Sequence, residues 1–262
     1  MNNPTIRFQN GAAYERYMGQ WSQLVGQVFL DWLAAPTGQR WLDVGCGNGA
    51  FTEMLIEHAQ PSEVHGIDPS EPQLDYARTR AALAQAQLLI ADAMALPYPA
   101  QRFDVAVMPL VIFFVPDPAR GVAEMRRVVR PGGWVGAYAW DMEGGGFPYA
   151  ALQAEISAEG FPVPAAPSAD ASRLDVMQAL WQEAGLEQIE SRTITVERSF
   201  ADFEDFWSTA LGAPSVGGTL ANMSETQRNA IRARLQKRLS ADAEGRIRYS
   251  ARANAIKGTV PA

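Results

Sequence analysis

Seven residues, Asp43-Val44-Gly45-Cys46-Gly47-Asn48-Gly49, hold the densest chemical content of this chain. Three alternating glycines let the main chain turn tightly and approach a ligand that any Cβ would keep away. Trp41-Leu42 leads into them with strand character, and Ala50-Phe51-Thr52-Glu53-Met54-Leu55-Ile56 follows with helical periodicity. A strand, a glycine loop and a helix in that order build a crevice for a nucleotide-type cofactor. The letters leave two ligands open. Gly45, Gly47 and Ala50 satisfy the pattern G-x-G-x-x-G/A of dinucleotide loops, so a nicotinamide cofactor is one reading. Asp43 speaks against it, because a pyrophosphate-binding loop normally has no acid two places before its first glycine.

Two more acids close strand-like runs. Val64-His65-Gly66-Ile67-Asp68-Pro69-Ser70 reads as a second short strand ending in Asp68, nineteen residues after Gly49. In an open parallel sheet the carboxyl ends of strands line the ligand crevice. A carboxylate there can accept both hydroxyls of a vicinal diol. The plainer alternative makes Asp68 a helix-start acid with Ser70 as the cap. Leu88-Leu89-Ile90-Ala91-Asp92-Ala93 is a third apolar strand ending in an acid, with a turn acid as its plain alternative. Val105-Ala106-Val107-Met108 is a fourth strand, and Pro131-Gly132-Gly133-Trp134-Val135-Gly136 opens a fifth. Between them Pro118 to Arg130 forms an amphipathic helix with Val122, Met125 and Val129 on one stripe.

Acid-x-Gly-x-Gly-x-Gly at 43–49 resembles the first motif of the class I S-adenosylmethionine-dependent methyltransferases. The passage from Asp92-Ala93 through Leu96-Pro97-Tyr98 to Phe103-Asp104, and Arg130-Pro131-Gly132-Gly133, extend the likeness over residues 39–140. It is nearest to the ubiquinone/menaquinone C-methyltransferase-like group. The resemblance implies an α/β, Rossmann-like, mostly parallel seven-stranded sheet with helices on both faces and an antiparallel last strand. It implies S-adenosylmethionine as cofactor, which carries a sulfonium, an ammonium and a carboxylate but no phosphate. It further implies cofactor contacts at Gly45, Cys46, Gly47, Asp68, Pro69, Asp92, Ala93 and Met108. Asp68 would hold the ribose, and Asp92-Ala93 would read the adenine. One departure stands out. Where many relatives carry histidine after strand four, this chain has Ile112-Phe113-Phe114-Val115, so we name no catalytic base.

Bulk properties narrow the class. A chain of 262 residues that is 47% hydrophobic can bury a full core as one domain with an insertion. A net charge of −7 argues against a dedicated nucleic-acid groove. The longest apolar run, Val105 to Val115, is too short to span a bilayer and contains a proline. The first eight residues lack the pattern of a signal peptide, and a single cysteine fits a reducing cytoplasm. That cysteine, Cys46, has no histidine nearby in sequence and reads as a small residue tolerated under the cofactor, not a nucleophile. His58 and His65 are the only histidines, and no metal site is expected from them.

The flanks must then supply the acceptor side. Tyr14, Tyr17, Met18, Trp21, Val25 and Val28 give residues 10–34 one aromatic helical face. Tyr14 and Trp21 are the candidates for a lid over the sulfonium, since aromatic faces attract cations; core packing is the alternative. Residues 201–245 form a cap insertion before a last strand at Arg246 to Ile256. Its first helix carries Phe203, Phe206, Trp207 and Leu211, and its second starts at a Ser224-Glu225-Thr226-Gln227 capping box. Arg228, Arg232, Arg234, Lys237 and Arg238 give that second helix a basic face, either solvated or able to bind an anionic substrate. The expected function is methyl transfer to a small, apolar or aromatic acceptor, by a cytoplasmic monomer or homodimer. A cofactor-binding module without turnover and a nicotinamide oxidoreductase are the competing readings.

Overall fold

Parallel strands covered on both faces read as unbroken apolar runs, and β4 (Phe103–Pro109) is such a strand, buried at every residue. The structure is a computed structural model that describes residues 15–212 and 216–262; Tyr14 lies outside the described residues. The other strands are β1 (Arg40–Val44), β2 (Glu63–Asp68), β3 (Gln87–Ile90), β5 (Val129–Trp140), β6 (Glu187–Phe200) and β7 (Ile247–Thr259). They form one seven-stranded sheet in the order β3-β2-β1-β4-β5-β7-β6. Strands β1 to β5 pair in parallel, and β7 runs antiparallel to both β5 and β6. Strand order reverses between β1 and β4, so the ligand crevice of such a sheet opens beyond their carboxyl ends.

Helices cover both faces. On one, α1 (Gln20–Leu33) packs against α2 (Ala50–Ala59), and Phe29 and Leu33 lie over Gly136 of β5. On the other, α4 (Pro118–Val128) packs against α6 (Leu174–Glu183). Trp181 of α6 sits over Gly258 of β7 and donates from Nε1 to the Val135 carbonyl at 3.1 Å. The remaining core helices are α3 (Glu71–Arg78) and α5 (Ala150–Ala158).

Some boundaries differ from the sequence reading. Strand β5 begins at Val129, because Val129 is already extended where α4 stops, and the turn at Gly132 (φ 71°) falls inside the strand. Residues 169–183 do not form one continuous helix: Arg173 is extended and separates a 3-10 turn, Ala169–Ser172, from α6. Strand β3 is apolar but lies at the sheet edge, leaving Leu89 and Ile90 exposed.

The insertion folds as α7 (Phe203–Leu211), α8 (Gly217–Ala221) and α9 (Glu225–Arg238), with the Ser224–Gln227 capping box formed. Its aromatic stripe packs on the end of the sheet. The Phe206 ring lies 5.3 Å from Phe200, 5.7 Å from Tyr249 and 6.0 Å from Tyr149. Full burial of such a ring contributes about 1.5–3 kcal/mol. Leu211, at the end of the stripe, stays exposed. The basic face of α9 is largely occupied by internal partners. Arg228 donates to the Met223 carbonyl at 2.7 Å, Arg232 pairs with Glu204, and Arg234 reaches Glu155 and Glu159 on and beside α5.

At the amino edge of the sheet, Asp104 joins three strands. Its carboxylate accepts from the Arg40 amide at 2.8 Å, from the Arg40 side chain at 3.0 and 3.1 Å, and from Arg130 Nε at 2.5 Å. These donors, Arg40 first, hold its carboxyl well below the ordinary carboxylate range. Both arginines are partly exposed, so the pairing is worth less than a fully buried one. We expect Asp104→Asn to lose about 2 kcal/mol in urea unfolding at pH 7. The stabilisation should be present above the ordinary carboxylate pKa and fade as pH falls through the depressed one. Cofactor affinity should not change, because Asp104 stands at the opposite edge from the glycine loop.

Candidate functional site

Beyond β1 the chain turns through the glycine loop and enters α2. The Gly45 and Cys46 amides both donate to the Ile67 carbonyl, at 2.8 and 2.9 Å, which fastens the loop to β2. Gly45 has a φ of 79° and lies so close to Val111 that a Cβ would stand 2.5 Å from its side chain. Gly47 has a φ of 52° and is different in kind: a Cβ there would meet nothing within 4 Å. Its open side is the approach that a ligand backbone contact requires. Cys46 is buried, and its sulfur packs over Gly66; burial pushes its thiol well above the ordinary range. That environment suits packing and not nucleophilic attack.

Two acids flank the loop. Asp68 accepts from the Gly47 amide through Oδ2 at 2.9 Å and from the Ser70 amide through Oδ1 at 2.8 Å. Burial pushes its carboxyl up, while these two donors pull it back. Asp43, fully buried at the end of β1, accepts from the Thr52 hydroxyl through Oδ2 at 2.7 Å. Its Oδ1 is buried with no hydrogen-bond partner. Burial raises the Asp43 carboxyl to about 7, the Thr52 bond opposes this, and the charge of Asp68 adds to it. Thr52 escaped the sequence reading. The signal was a hydroxyl nine residues after Asp43, on the buried side of the first helical turn.

This chemistry distinguishes the two cofactor classes. The Gly47 amide, which a phosphate would need, is already given to a carboxylate. The site holds two acids that interact unfavourably with each other and would also repel a pyrophosphate. An orphaned carboxylate oxygen and an open glycine instead fit a cofactor bearing cationic groups and a diol.

The other expected residues are placed as follows. Pro69 is exposed beside Asp68. Asp92 is exposed beyond β3 and accepts from the Met94 amide at 2.8 Å, and Ala93 is half-buried next to it. Met108 is fully buried, with its methyl end turned toward Gly121 of α4. Its neighbour Leu110 has a φ of 58°, a conformation costly for a branched side chain and characteristic of functional loops. Phe113 is buried and Phe114 half-buried in the 3-10 turn Ile112–Phe114. Trp21 is fully buried, its ring centroid 6.4 Å from Phe200 and 6.3 Å from Tyr249. Tyr17 stacks on Tyr149 at 4.4 Å, and the Tyr149 hydroxyl donates to the Tyr17 carbonyl at 3.0 Å. His58 and His65 lie elsewhere, beside Gln27 and Glu63 respectively. Among the described residues no three His, Cys, Asp or Glu side chains gather as metal ligands.

Comparison with known proteins follows the same lines. Residues 42–137 match the family model described as a methyltransferase domain. The chain is 38% identical over 96 residues to 2-methyl-6-phytyl-1,4-hydroquinone methyltransferase 1 of Oryza sativa, covering 37% of this chain and 29% of the relative. It is 28% identical over 145 residues to the aklanonic acid methyltransferase of a Streptomyces species, covering 54% of this chain and 66% of the relative. The chain thus spans less than two thirds of the length of these curated relatives. Phosphoethanolamine N-methyltransferase 2 of Haemonchus contortus, solved with S-adenosyl-L-methionine, shares the fold. It aligns with a TM-score of 0.60 at 20% identity, over 96% of this chain and 56% of that one. Strand order, acidic glycine loop and matched segment together identify residues 42–137 as a methyltransferase domain.

Proposed function

We propose that the chain transfers a methyl group from S-adenosylmethionine to a small, apolar or aromatic acceptor. The observation that carries this reading is the buried, unpartnered Oδ1 of Asp43 beneath a glycine loop whose next acid, Asp68, is fixed by the Gly47 amide. The cofactor supplies an activated methyl on a sulfonium. In this reading Asp43 provides negative charge below the loop for the cationic amino acid end. Asp68, already oriented by two amides, receives the ribose diol, with Pro69 shaping the approach. Cys46, Gly45 and Gly47 form the floor, and Asp92 and Ala93 take the adenine. Met108, whose side chain is turned to α4, contributes main chain at the end of β4. Trp21 supports the lid region from within, since its ring is enclosed by Phe200 and Tyr249.

The acceptor reading rests on the apolar character of this end of the molecule. Phe114 is half-buried, Tyr149 and the aromatic side of α7 are buried, and both histidines lie elsewhere, beside Gln27 and Glu63. An acceptor that is already acidic, such as a phenol, an enol or a hydroquinone, needs only positioning and exclusion of water. Relatives named for a hydroquinone and for aklanonic acid support acceptors of that kind. No helix among the described residues is long and apolar enough to cross a membrane. Action in the cytoplasm, on a small molecule and not on nucleic acid, as a monomer or homodimer, completes the proposal.

Calorimetry on the purified protein should show binding of S-adenosylmethionine and of its demethylated product, with no heat from NAD. Binding of NAD alone would overturn the reading. Turnover with aromatic acceptors separates an enzyme from a binding module.

Asp68→Ala should weaken cofactor binding by about 1.5–3 kcal/mol, the range for lost hydrogen bonds to a charged group. Because Asp68 also holds Gly47, the free protein should lose about 1 kcal/mol of stability. Unchanged affinity would reduce Asp68 to a loop brace.

Asp43 makes a prediction with the opposite sign. Its carboxyl is raised in the folded chain, from 3.8 to about 7, so the folded state holds a proton that the unfolded state has released. Stability from this group is present below the unfolded value and is lost as pH rises toward 7, by at most about 4 kcal/mol. Asp43→Asn should therefore flatten the fall in unfolding free energy between pH 5 and pH 8. The variant should be the more stable protein at pH 8, by roughly 1–3 kcal/mol once an unpaired amide is allowed for. It should nevertheless bind S-adenosylmethionine more weakly. A variant less stable at pH 8, with cofactor affinity intact, would remove Asp43 from the site.

A further inference from the structure

Helix α3 meets the glycine loop at both of its ends. Ahead of its first turn, Asp68 accepts from the Gly47 amide through one carboxylate oxygen and from the Ser70 amide through the other. Beyond its last turn, Arg80 donates from Nε to the carbonyl of Asn48 at 2.7 Å. Its Nη1 reaches Glu53, in the first turn of α2, at 2.5 Å. Two successive loop residues are thus held from the two ends of one helix, Gly47 through its N–H and Asn48 through its C=O. The packing follows the same plan. Gly49 has a φ of 79°, and a Cβ there would stand 2.6 Å from the Leu83 side chain and 3.0 Å from that of Ala77.

Arg80 is anchored for this contact. Its amide donates to the Ala77 carbonyl and its carbonyl accepts from the Leu83 amide, each at 3.0 Å, so its backbone is fixed on both sides. The guanidinium lies 5.6 Å from the centroid of the Tyr76 ring. Its side chain is 14% exposed, against 45% for Arg78, which pairs with Asp75 on the surface. A guanidinium presents its donors in a rigid fork, so separate nitrogens can hold a carbonyl and a carboxylate at fixed relative positions. Here they hold the loop and the helix that follows it. The Asn48–Gly49 peptide is held on its other side as well, since the Gly49 amide donates to the Cys46 carbonyl at 2.9 Å. That bond closes the turn in which Gly47 stands open.

We propose that Arg80 is a positioning residue for the cofactor: by fixing the Asn48 carbonyl it holds the turn at 46–49 in the shape that presents Gly47 and Asp68 to S-adenosylmethionine. The proposal rests on the methyltransferase reading above and adds to it a residue outside the glycine motif and its acids. Arg80 acts through the loop and exchanges no proton. A loop already held in its binding shape loses less conformational freedom when the ligand arrives, and affinity rises accordingly. Without the fork, the cofactor itself must order the turn.

The test uses the full chain, with calorimetry of S-adenosylhomocysteine binding and NMR-detected amide hydrogen exchange of the free protein. Arg80→Met, which removes the donors, should bind S-adenosylhomocysteine about tenfold more weakly. Its Gly47 and Gly49 amides should exchange faster than in the parent, while the amides of β4 keep their protection. Arg80→Lys, which keeps the charge and loses the fork, should bind more tightly than Arg80→Met and more weakly than the parent. Arg78→Met removes a charge two residues away and should match the parent. Parental affinity in Arg80→Met, or an equal loss in Arg78→Met, would overturn the proposal. A lowered melting temperature of Arg80→Met with unaltered affinity would make Arg80 a packing residue only. Should Arg80→Met fail to fold, Arg80→Lys decides, and parental affinity there overturns the proposal. A parent that does not bind S-adenosylhomocysteine would count against the methyltransferase reading, whereas unchanged exchange at Gly47 and Gly49 in Arg80→Met would count against the role of Arg80 alone.

Discussion

The hydrogen bond from the Gly47 amide to Asp68, beside the two that Ile67 accepts from Gly45 and Cys46, ties together the two strand ends on which the cofactor side depends. It fixes the loop after β1 against the acid after β2, and it removes from the loop the donor that a phosphate would seek. Asp43, raised chiefly by burial and in smaller part by the charge of Asp68, has no second donor for its carboxylate. A site with this much uncompensated negative character is poorly satisfied by itself and is completed by positive charge. Electrostatic demand of this kind selects a ligand more sharply than the glycine spacing, which two cofactor classes share.

The fold was legible wherever local pattern and burial agree. Apolar runs bounded by glycine or acid located β1, β2 and β4, and the capping box at Ser224 located the start of α9. Boundaries were less legible where one residue divides two elements. Arg173 breaks a helix without glycine or proline, and Val129 joins strand and helix with no turn residue between them. Edge position was invisible as well, since Leu88-Leu89-Ile90 has the same letters whether buried or, as in β3, exposed.

The candidate site was legible in its acids and glycines, because strand ends and tight turns constrain residue type. Long-range pairing was not. Nothing in the letters ties Tyr149 to Tyr17, 132 positions apart, or sets Val111 against Gly45. The aromatic face of residues 10–34 has the same ambiguity. Helical spacing identifies a stripe, while its surroundings decide what the stripe covers, and Trp21 is enclosed by residues from β6 and β7. The basic face of α9 shows the converse: five cations in sequence look available, yet three are consumed by partners within the chain.

Phe200 and Ile247 face each other as register partners, so residues 201–246 leave the sheet and return to it at one point. An excursion with coincident ends can lengthen, shorten or be exchanged at small entropic cost to the rest of the chain, because loop closure depends only weakly on length. The strands that carry the glycine loop and its acids lie several positions away in the sheet order. The connection between β6 and β7 can therefore change in this architecture while β1 and β2, with the glycine loop and its acids, stay untouched.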